Sequence, residues 1–230
     1  MKMVLNKYYR KKTATPVWLS VAILVQIFVF TGDTVYSANR IKVVVLGDSL
    51  TAGYGLKKQD AFPFKLAAAL KSSGRSVQVI NAGVSGDTSA GGRSRLSWAL
   101  TDNPQLVIIE LGANDGLRGL DPSETKANLN AVLNDLKKRK IKVLLTGMLA
   151  PPNLGKEYSR EFGQIFPELA KTHAVAFYKF FLEGVANYSH LNQTDGIHPN
   201  PAGVDEIVRR ILPIVKSLID TVDHRESNHN

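Results

Sequence analysis

From residue 41 onward, apolar and polar positions alternate between two rhythms. Ile41–Leu46, Leu106–Leu111 and Ile141–Met148 are almost unbroken apolar runs rich in Val, Ile and Leu. Runs of that kind predict parallel strands buried on both faces. Val77–Ile80 and Val175–Phe177 predict two shorter strands. Between the strands, apolar residues recur at helical spacing. Phe62, Leu66, Ala69 and Leu70 share one face of a helix over Phe62–Ser72, and Leu129, Val132, Leu133 and Leu136 stripe a long one over Ser123–Lys140. Ser89–Leu100 and Lys156–Thr172 also read as helices, and Phe180–Ala186 as a helical turn or short helix. A closing helix is predicted over Pro201–Ile219, with Val204, Ile207, Val208, Ile211 and Val215 facing a sheet.

Strands alternating with helices imply a parallel sheet covered on both sides, an α/β fold of three layers, α/β/α. Right-handed crossovers place all strand ends on one edge. The expected sheet is flavodoxin-like, with strand order 2-1-3-4-5 and the first strand at the topological switch point, where open sheets bind ligands. One domain over residues 39–222 accounts for the pattern. The polar stretch Asp223–Asn230 reads as a disordered tail.

The first 38 residues follow another logic. Lys2, Lys7, Arg10, Lys11 and Lys12 precede a 14-residue apolar run, Val17–Phe30, interrupted only by Ser20 and Gln26. Small and polar residues then lead to Ser37 and Ala38. This is the layout of a secretory signal peptide, and it predicts export to a periplasm or beyond. Cleavage after Ser37 puts Val35 three positions back, whereas cleavage after Ala38 puts bulky Tyr36 there. If the leader stays uncleaved it is an amino-terminal anchor, although 14 apolar residues fall short of the roughly 20 that span a bilayer. The leader contributes +4 of the +9 net charge. The other bases are scattered, except for Lys137-Lys138-Arg139-Lys140 at a predicted helix end, where they suit the helix dipole. No aromatic residues interleave with them, so nucleic acid is not an expected partner. Peripheral attraction to an anionic membrane surface stays open, and a monomer is expected. The chain has no cysteine, which excludes disulfides, thiolate metal sites and a cysteine nucleophile.

Candidate chemistry collects where strands end. Gly47-Asp48-Ser49-Leu50 directly follows the first strand, so glycine turns the chain and Ser49 lies at the strand's carboxyl end. Asn81–Thr88 follows the second strand, Gly112-Ala113-Asn114-Asp115 the third, and Asp195-Gly196-Ile197-His198-Pro199 precedes the last helix. A serine nucleophile needs a base with a pKa near 6.5, and a carboxylate to fix that base's tautomer. Asp195 and His198, three residues apart across a glycine turn, can meet both needs. Backbone N–H groups at Ser49 and Gly86 and the Asn114 amide are candidate oxyanion donors.

At this point the chain resembles the SGNH hydrolases, also called GDSL esterases and lipases. Their four named residues appear here in order: Ser49 in GDSL, Gly86 in SGDTS, Asn114 in GAND and His198 in DGIHP. The resemblance runs from about Ile41 to Leu218. The blocks SGDTS, Glu110–Gly119 and Asp195–Asn200 are similar to the bacterial periplasmic subgroup with thioesterase, arylesterase and lysophospholipase activities. Ala113 departs from that subgroup's usual second glycine. The resemblance implies a Ser49–His198–Asp195 triad and an acyl-enzyme formed on fatty acyl esters, acyl thioesters or lysophospholipids, without metal or organic cofactor. It also implies a loop around Arg118 that flanks the acyl pocket. Leu117, Leu120, Leu149, Pro151 and Phe181 are further candidates for the pocket wall.

Each residue also has a plainer reading. Ser49 could cap a helix, Gly86 and Asn114 could serve turns, and Asp48 and Asp115 are read as structural braces. His224 and His229 fall in the polar tail, His173 begins a strand region and reads as a surface or satisfied residue, His190 lies in a loop with no obvious acid partner, and no HExxH, GxGxxG or GxxxxGK[ST] spacing is present. Two alternatives stay open: an acetylesterase acting on envelope polysaccharide, and a non-catalytic lipid- or glycan-binding protein.

Overall fold

A computed structural model describes residues 40–227, and the side chains of residues 40–222. The expected leader and any anchor lie outside the described residues. In chain order the elements are β1 (Ile41–Gly47), α1 (Ser49–Ala52), α2 (Phe62–Ser72), β2 (Val77–Gly83), α3 (Ser89–Ser94), α4 (Leu96–Ala99), β3 (Leu106–Glu110), α5 (Ala113–Leu117), α6 (Pro122–Lys138), β4 (Lys142–Thr146), α7 (Lys156–His173), β5 (Ala176–Tyr178) and α8 (Pro201–Ser227). Three short 3-10 turns complete the set, at Lys58–Asp60, Pro152–Leu154 and Ser189–Leu191.

All five strands are parallel, in the order β2-β1-β3-β4-β5. This is the flavodoxin-like order expected from the alternation of strands and helices. Val43–Leu46 and every residue of β3 are buried, because helices cover both faces of the sheet. Each such aliphatic side chain removed from water contributes about 1.5–3 kcal/mol, and the central strands hold many of them. The apolar stripes of α6 and α8 are buried as their spacing requires. Pro167 and Pro213 sit inside α7 and α8. Each removes one helical hydrogen bond; burial of Phe162, Phe166 and Leu169 around the first, and of Ile211 and Val215 beside the second, offsets the loss.

Three of the expected elements differ from the fold. The helix expected over Ser89–Leu100 divides at Arg95, whose side chain serves the sheet edge rather than a helix surface. Strand β2 runs three residues further than its apolar run, because Asn81, Ala82 and Gly83 pair with Val45, Leu46 and Gly47. Phe180–Ala186, expected as a helical turn or short helix, takes the first form: successive turns in which Ala186 N–H donates to Leu182 O. Helix α8 continues to Ser227, so the tail expected to be disordered from residue 223 has helical backbone as far as 227. Among the described residues, no helix is long and apolar enough to cross a membrane.

Candidate active site

Strand β1 ends at Gly47, and the chain turns at once into α1. A side chain at 47 has no room, since its Cβ would land on Thr51 Oγ1 and Glu110 Oε2. Asp48 caps the turn: Leu50 N–H donates to its Oδ1 at 3.0 Å. Ser49 is therefore the first residue of α1, half-buried at the carboxyl edge of the sheet.

His198 comes from the loop before α8. Asp195 Oδ1 accepts the N–H groups of Ile197 and His198, each at 3.0 Å, across Gly196 with φ of +74°. That turn aims the second carboxylate oxygen and the imidazole at each other. Asp195 Oδ2 lies 2.7 Å from His198 Nδ1, and His198 Nε2 lies 2.9 Å from Ser49 Oγ. The main-chain N–H of His198 and then its imidazole hold the Asp195 carboxyl down at about 2, so it is ionised at neutral pH. An ionised acceptor on Nδ1 fixes the proton there and leaves Nε2 to accept from the serine hydroxyl. Gln193 pins the loop by donating to Tyr54 O and Pro199 O, and the Tyr54 ring lies 4.7 Å from the imidazole, centroid to centroid.

Gly86 is exposed in the loop after β2 with φ of +86°, a conformation in which a side chain is strained. Asn114 follows β3 on α5. Its Nδ2 donates both protons, to Asp87 O at 2.9 Å and to Asp48 Oδ2 at 3.1 Å. The amide is thus aimed before any ligand arrives, and an oxyanion must share or take over one of these bonds. Asp48 does more than brace its own turn, because it also orients Asn114.

Beneath the edge lies a network that residue patterns did not reveal. Arg95 donates to Gly47 O at 2.8 Å and Ala82 O at 2.7 Å, and pairs with Asp87. It ties the ends of β1 and β2 to the Gly86 loop. Glu110, the last residue of β3, is fully buried. Its Oε2 accepts from Thr51 Oγ1 at 2.7 Å and Asp48 N–H at 3.2 Å, while Oε1 has no partner. Burial and then the neighbouring Asp48 carboxyl push Glu110 well above its ordinary range, and burial likewise raises Asp48 to about 6. A neutral Glu110 follows, since an ion with an orphan oxygen in the core is the costlier state. Asp115, read as structural, accepts from Ser89 N–H, Ser89 Oγ and Thr125 Oγ1.

Ser49, Gly86, Asn114 and His198 all line one cleft of about 530 Å³. That volume is ordinary for a site that takes a small organic ligand. Of the expected wall residues, Leu117, Leu149 and Pro151 line it. Three do not. Phe181 is fully buried in the core, packed edge-on against Phe62, because the turn alternates its neighbours Phe180 and Leu182 into the cleft. Leu120 is drawn aside by main-chain bonds to Asp115 O and from Tyr158 Oη. Arg118 leaves the wall to donate to Gly86 O at 2.8 Å, which links two of the loops. Tyr54, Met148 and Ile197 line the cleft as well. Tyr54 and Ile197 come from loops whose sequences carry no periodic pattern, and Met148 lies two residues past the end of β4, at the close of the apolar run that predicts that strand. Among the described residues, no cluster of His, Asp and Glu could hold a metal ion.

Comparison with known proteins agrees with this geometry. The GDSL-like Lipase/Acylhydrolase family matches residues 45–205. An arylesterase of Vibrio mimicus is 43% identical over 161 residues, covering 70% of this chain and 80% of its own. The Escherichia coli K12 protein named thioesterase 1/protease 1/lysophospholipase L1 is 39% identical over 178 residues, 75% of this chain and 84% of its own. The crystal structure of TesA superposes with a TM-score of 0.74 at 39% identity, covering 77% of this chain and 99% of that one. With the family match spanning most of the domain and the strand order in agreement, the chain belongs to the GDSL-like lipase/acylhydrolase family, the SGNH hydrolases.

Proposed function

We propose that this protein is an exported serine esterase that cleaves fatty acyl esters, acyl thioesters and lysophospholipids through an acyl-enzyme. Ser49 Oγ attacks the carbonyl carbon while His198 Nε2 takes its proton. The imidazolium that forms is held by ionised Asp195. Ser49 and Gly86 N–H and the Asn114 amide receive the oxyanion, whose charge is the main demand of the transition state. His198 then gives its proton to the departing alcohol or thiol. Water, activated by the same imidazole, attacks the acyl-enzyme and releases the acid. The relatives' names support ester and thioester substrates.

One observation carries the reading: the line from Asp195 Oδ2 through His198 to Ser49 Oγ, at 2.7 and 2.9 Å, opens into the apolar cleft. Those apolar walls favour a medium or long acyl chain over the acetyl group of a polysaccharide. Ser49→Ala is expected to lower kcat for p-nitrophenyl decanoate by about 10⁴-fold or more. A fluorophosphonate should label the native protein at Ser49. Retained hydrolysis in Ser49→Ala, or no labelling, refutes the mechanism. A faster rate on acetate than on decanoate esters would shift the reading to deacetylation.

A further inference from the structure

The crossover helices run against the strands, so their carboxyl ends gather at the edge where the strands begin. There α6 ends in four consecutive bases, Lys137-Lys138-Arg139-Lys140, all exposed. Strand β4 opens on Lys142, and the described chain enters at exposed Arg40 just before β1. Lys42, Gln105 and Lys142 are joined there by main-chain hydrogen bonds, which places the α6 terminus and the chain entry on one edge. A helix dipole is well met by one or two cations. Lys71 and Lys171 supply that at the ends of α2 and α7. The run at α6 exceeds what the dipole requires. The described acids near these hollows have partners or face elsewhere: Asp135 pairs with Arg139, Asp220 on α8 pairs with Arg75, and Asp102 turns its carbonyl to Lys42 Nζ.

The same edge is hollowed and amphiphilic. A depression of about 470 Å³ is lined by Arg139, Lys140 and Lys142 together with Leu100, Ile141 and Val222. A second, of about 370 Å³, shares Lys140, Ile141 and Lys142 and adds Lys137 and Leu218. Trp98, two residues before Leu100, is 63% exposed, more than any other large apolar side chain described. Bases beside apolar hollows, with an exposed indole near by, match a phosphate headgroup layer over acyl chains.

We propose that the amino edge of the sheet docks on an anionic lipid surface. Charge complementarity selects that occupant, and the chain entry on the same edge is consistent with it. The catalytic cleft lies at the carboxyl edge, so the docked protein turns its active site away from the bilayer it rests on. Each base at an anionic surface strengthens binding by about fivefold, and salt screens the attraction.

The test uses the chain beginning at Ala38, so that the leader plays no part, in co-sedimentation with phosphatidylglycerol-containing vesicles and with pure phosphatidylcholine vesicles. Binding to the first alone, released by salt near 1 M, is expected. Lys137→Glu/Lys140→Glu should raise the lipid concentration for half-binding by about 25-fold or more while p-nitrophenyl butyrate hydrolysis stays unchanged. If charge reversal lowers that hydrolysis, Lys137→Gln/Lys140→Gln replaces it, and a weaker loss of binding is expected. Leu149→Asp, at the cleft, should bind vesicles as the native protein does. Three results overturn the proposal: no binding to anionic vesicles, binding that neither double variant weakens, or binding lost on Leu149→Asp. Hydrolysis of a soluble ester suppressed by bound vesicles overturns the orientation.

Discussion

The two edges of this sheet are built from the same five strands and carry opposite chemistry. At the carboxyl edge lie an apolar cleft, a serine hydroxyl within hydrogen-bond reach of a histidine, and a network of buried polar groups. At the amino edge lie exposed lysines and arginines over shallow hollows. Chain direction explains much of the contrast. Crossover helices present unpaired N–H groups toward the carboxyl edge and unpaired carbonyls toward the amino edge. Developing negative charge is favoured at the first and cations at the second before any particular side chain is chosen. The polar residues that act at the carboxyl edge are aimed by hydrogen bonds from two or more loops, whereas the bases at the other edge need only be exposed. Substitutions should therefore have unequal consequences on the two sides.

The sharpest test of that inequality is Asn114→Ala. One oxyanion donor contributes about 10²–10³ in rate. Steady-state hydrolysis of p-nitrophenyl hexanoate should show kcat falling by about that factor with KM nearly constant. Lys140→Gln, at the opposite edge, should change neither parameter. Equal losses from the two substitutions would erase the distinction.

Glu110 allows a second comparison, within the carboxyl edge itself. Glu110→Ala leaves the Asp48 N–H and the Thr51 hydroxyl without their buried acceptor, at a cost of about 2–4 kcal/mol in unfolding free energy. Glu110→Gln keeps an acceptor oxygen and reproduces a neutral acid, so urea unfolding at pH 7 should place it near the native protein. If the glutamine variant is as unstable as the alanine one, Glu110 is ionised in the folded state and the assignment of a neutral acid fails.

Much of this was legible in the residues, and the remainder fails for definite reasons. Strand positions followed from apolar runs, since a strand buried on both faces has almost no polar residues, and their alternation with helices pointed to the flavodoxin-like order. Ser49, Gly86, Asn114, Asp195 and His198 could be found because each sits in a short block beside a predictable element, and the structure brings all five to one edge. Arg95 could not, because its acceptors are carbonyls 13 and 48 positions away, and main-chain acceptors leave no mark in sequence. Glu110 lies inside the apolar run Leu106–Leu111, and only its burial shows that its carboxyl must be neutralised. Phe181 was misplaced by one residue. In a turn the inward and outward positions depend on each residue's dihedral angles, so composition could not separate Phe181 from Phe180.

Asp48 provides the smallest and most selective prediction. Burial raises its carboxyl from 3.8 in the unfolded chain to about 6 in the folded one. A raised folded value means that the folded state binds the proton more tightly. The associated stability is complete below about pH 4 and is lost as pH rises through 6. Two units correspond to nearly 3 kcal/mol, but Glu110 lies close enough to share the proton, so about 2 kcal/mol is expected for Asp48 alone. Asp48→Asn removes this titration. It also weakens the bond to Asn114, which adds an offset that does not depend on pH. The readout is therefore the slope: the stability of Asp48→Asn relative to the native protein should rise by about 2 kcal/mol between pH 4 and pH 8. Lys140→Gln, exposed at the other edge, should show no such rise. A flat difference for Asp48→Asn would mean that water reaches the carboxyl beneath Ser49, and the dry network assigned to the catalytic edge would have to be given up.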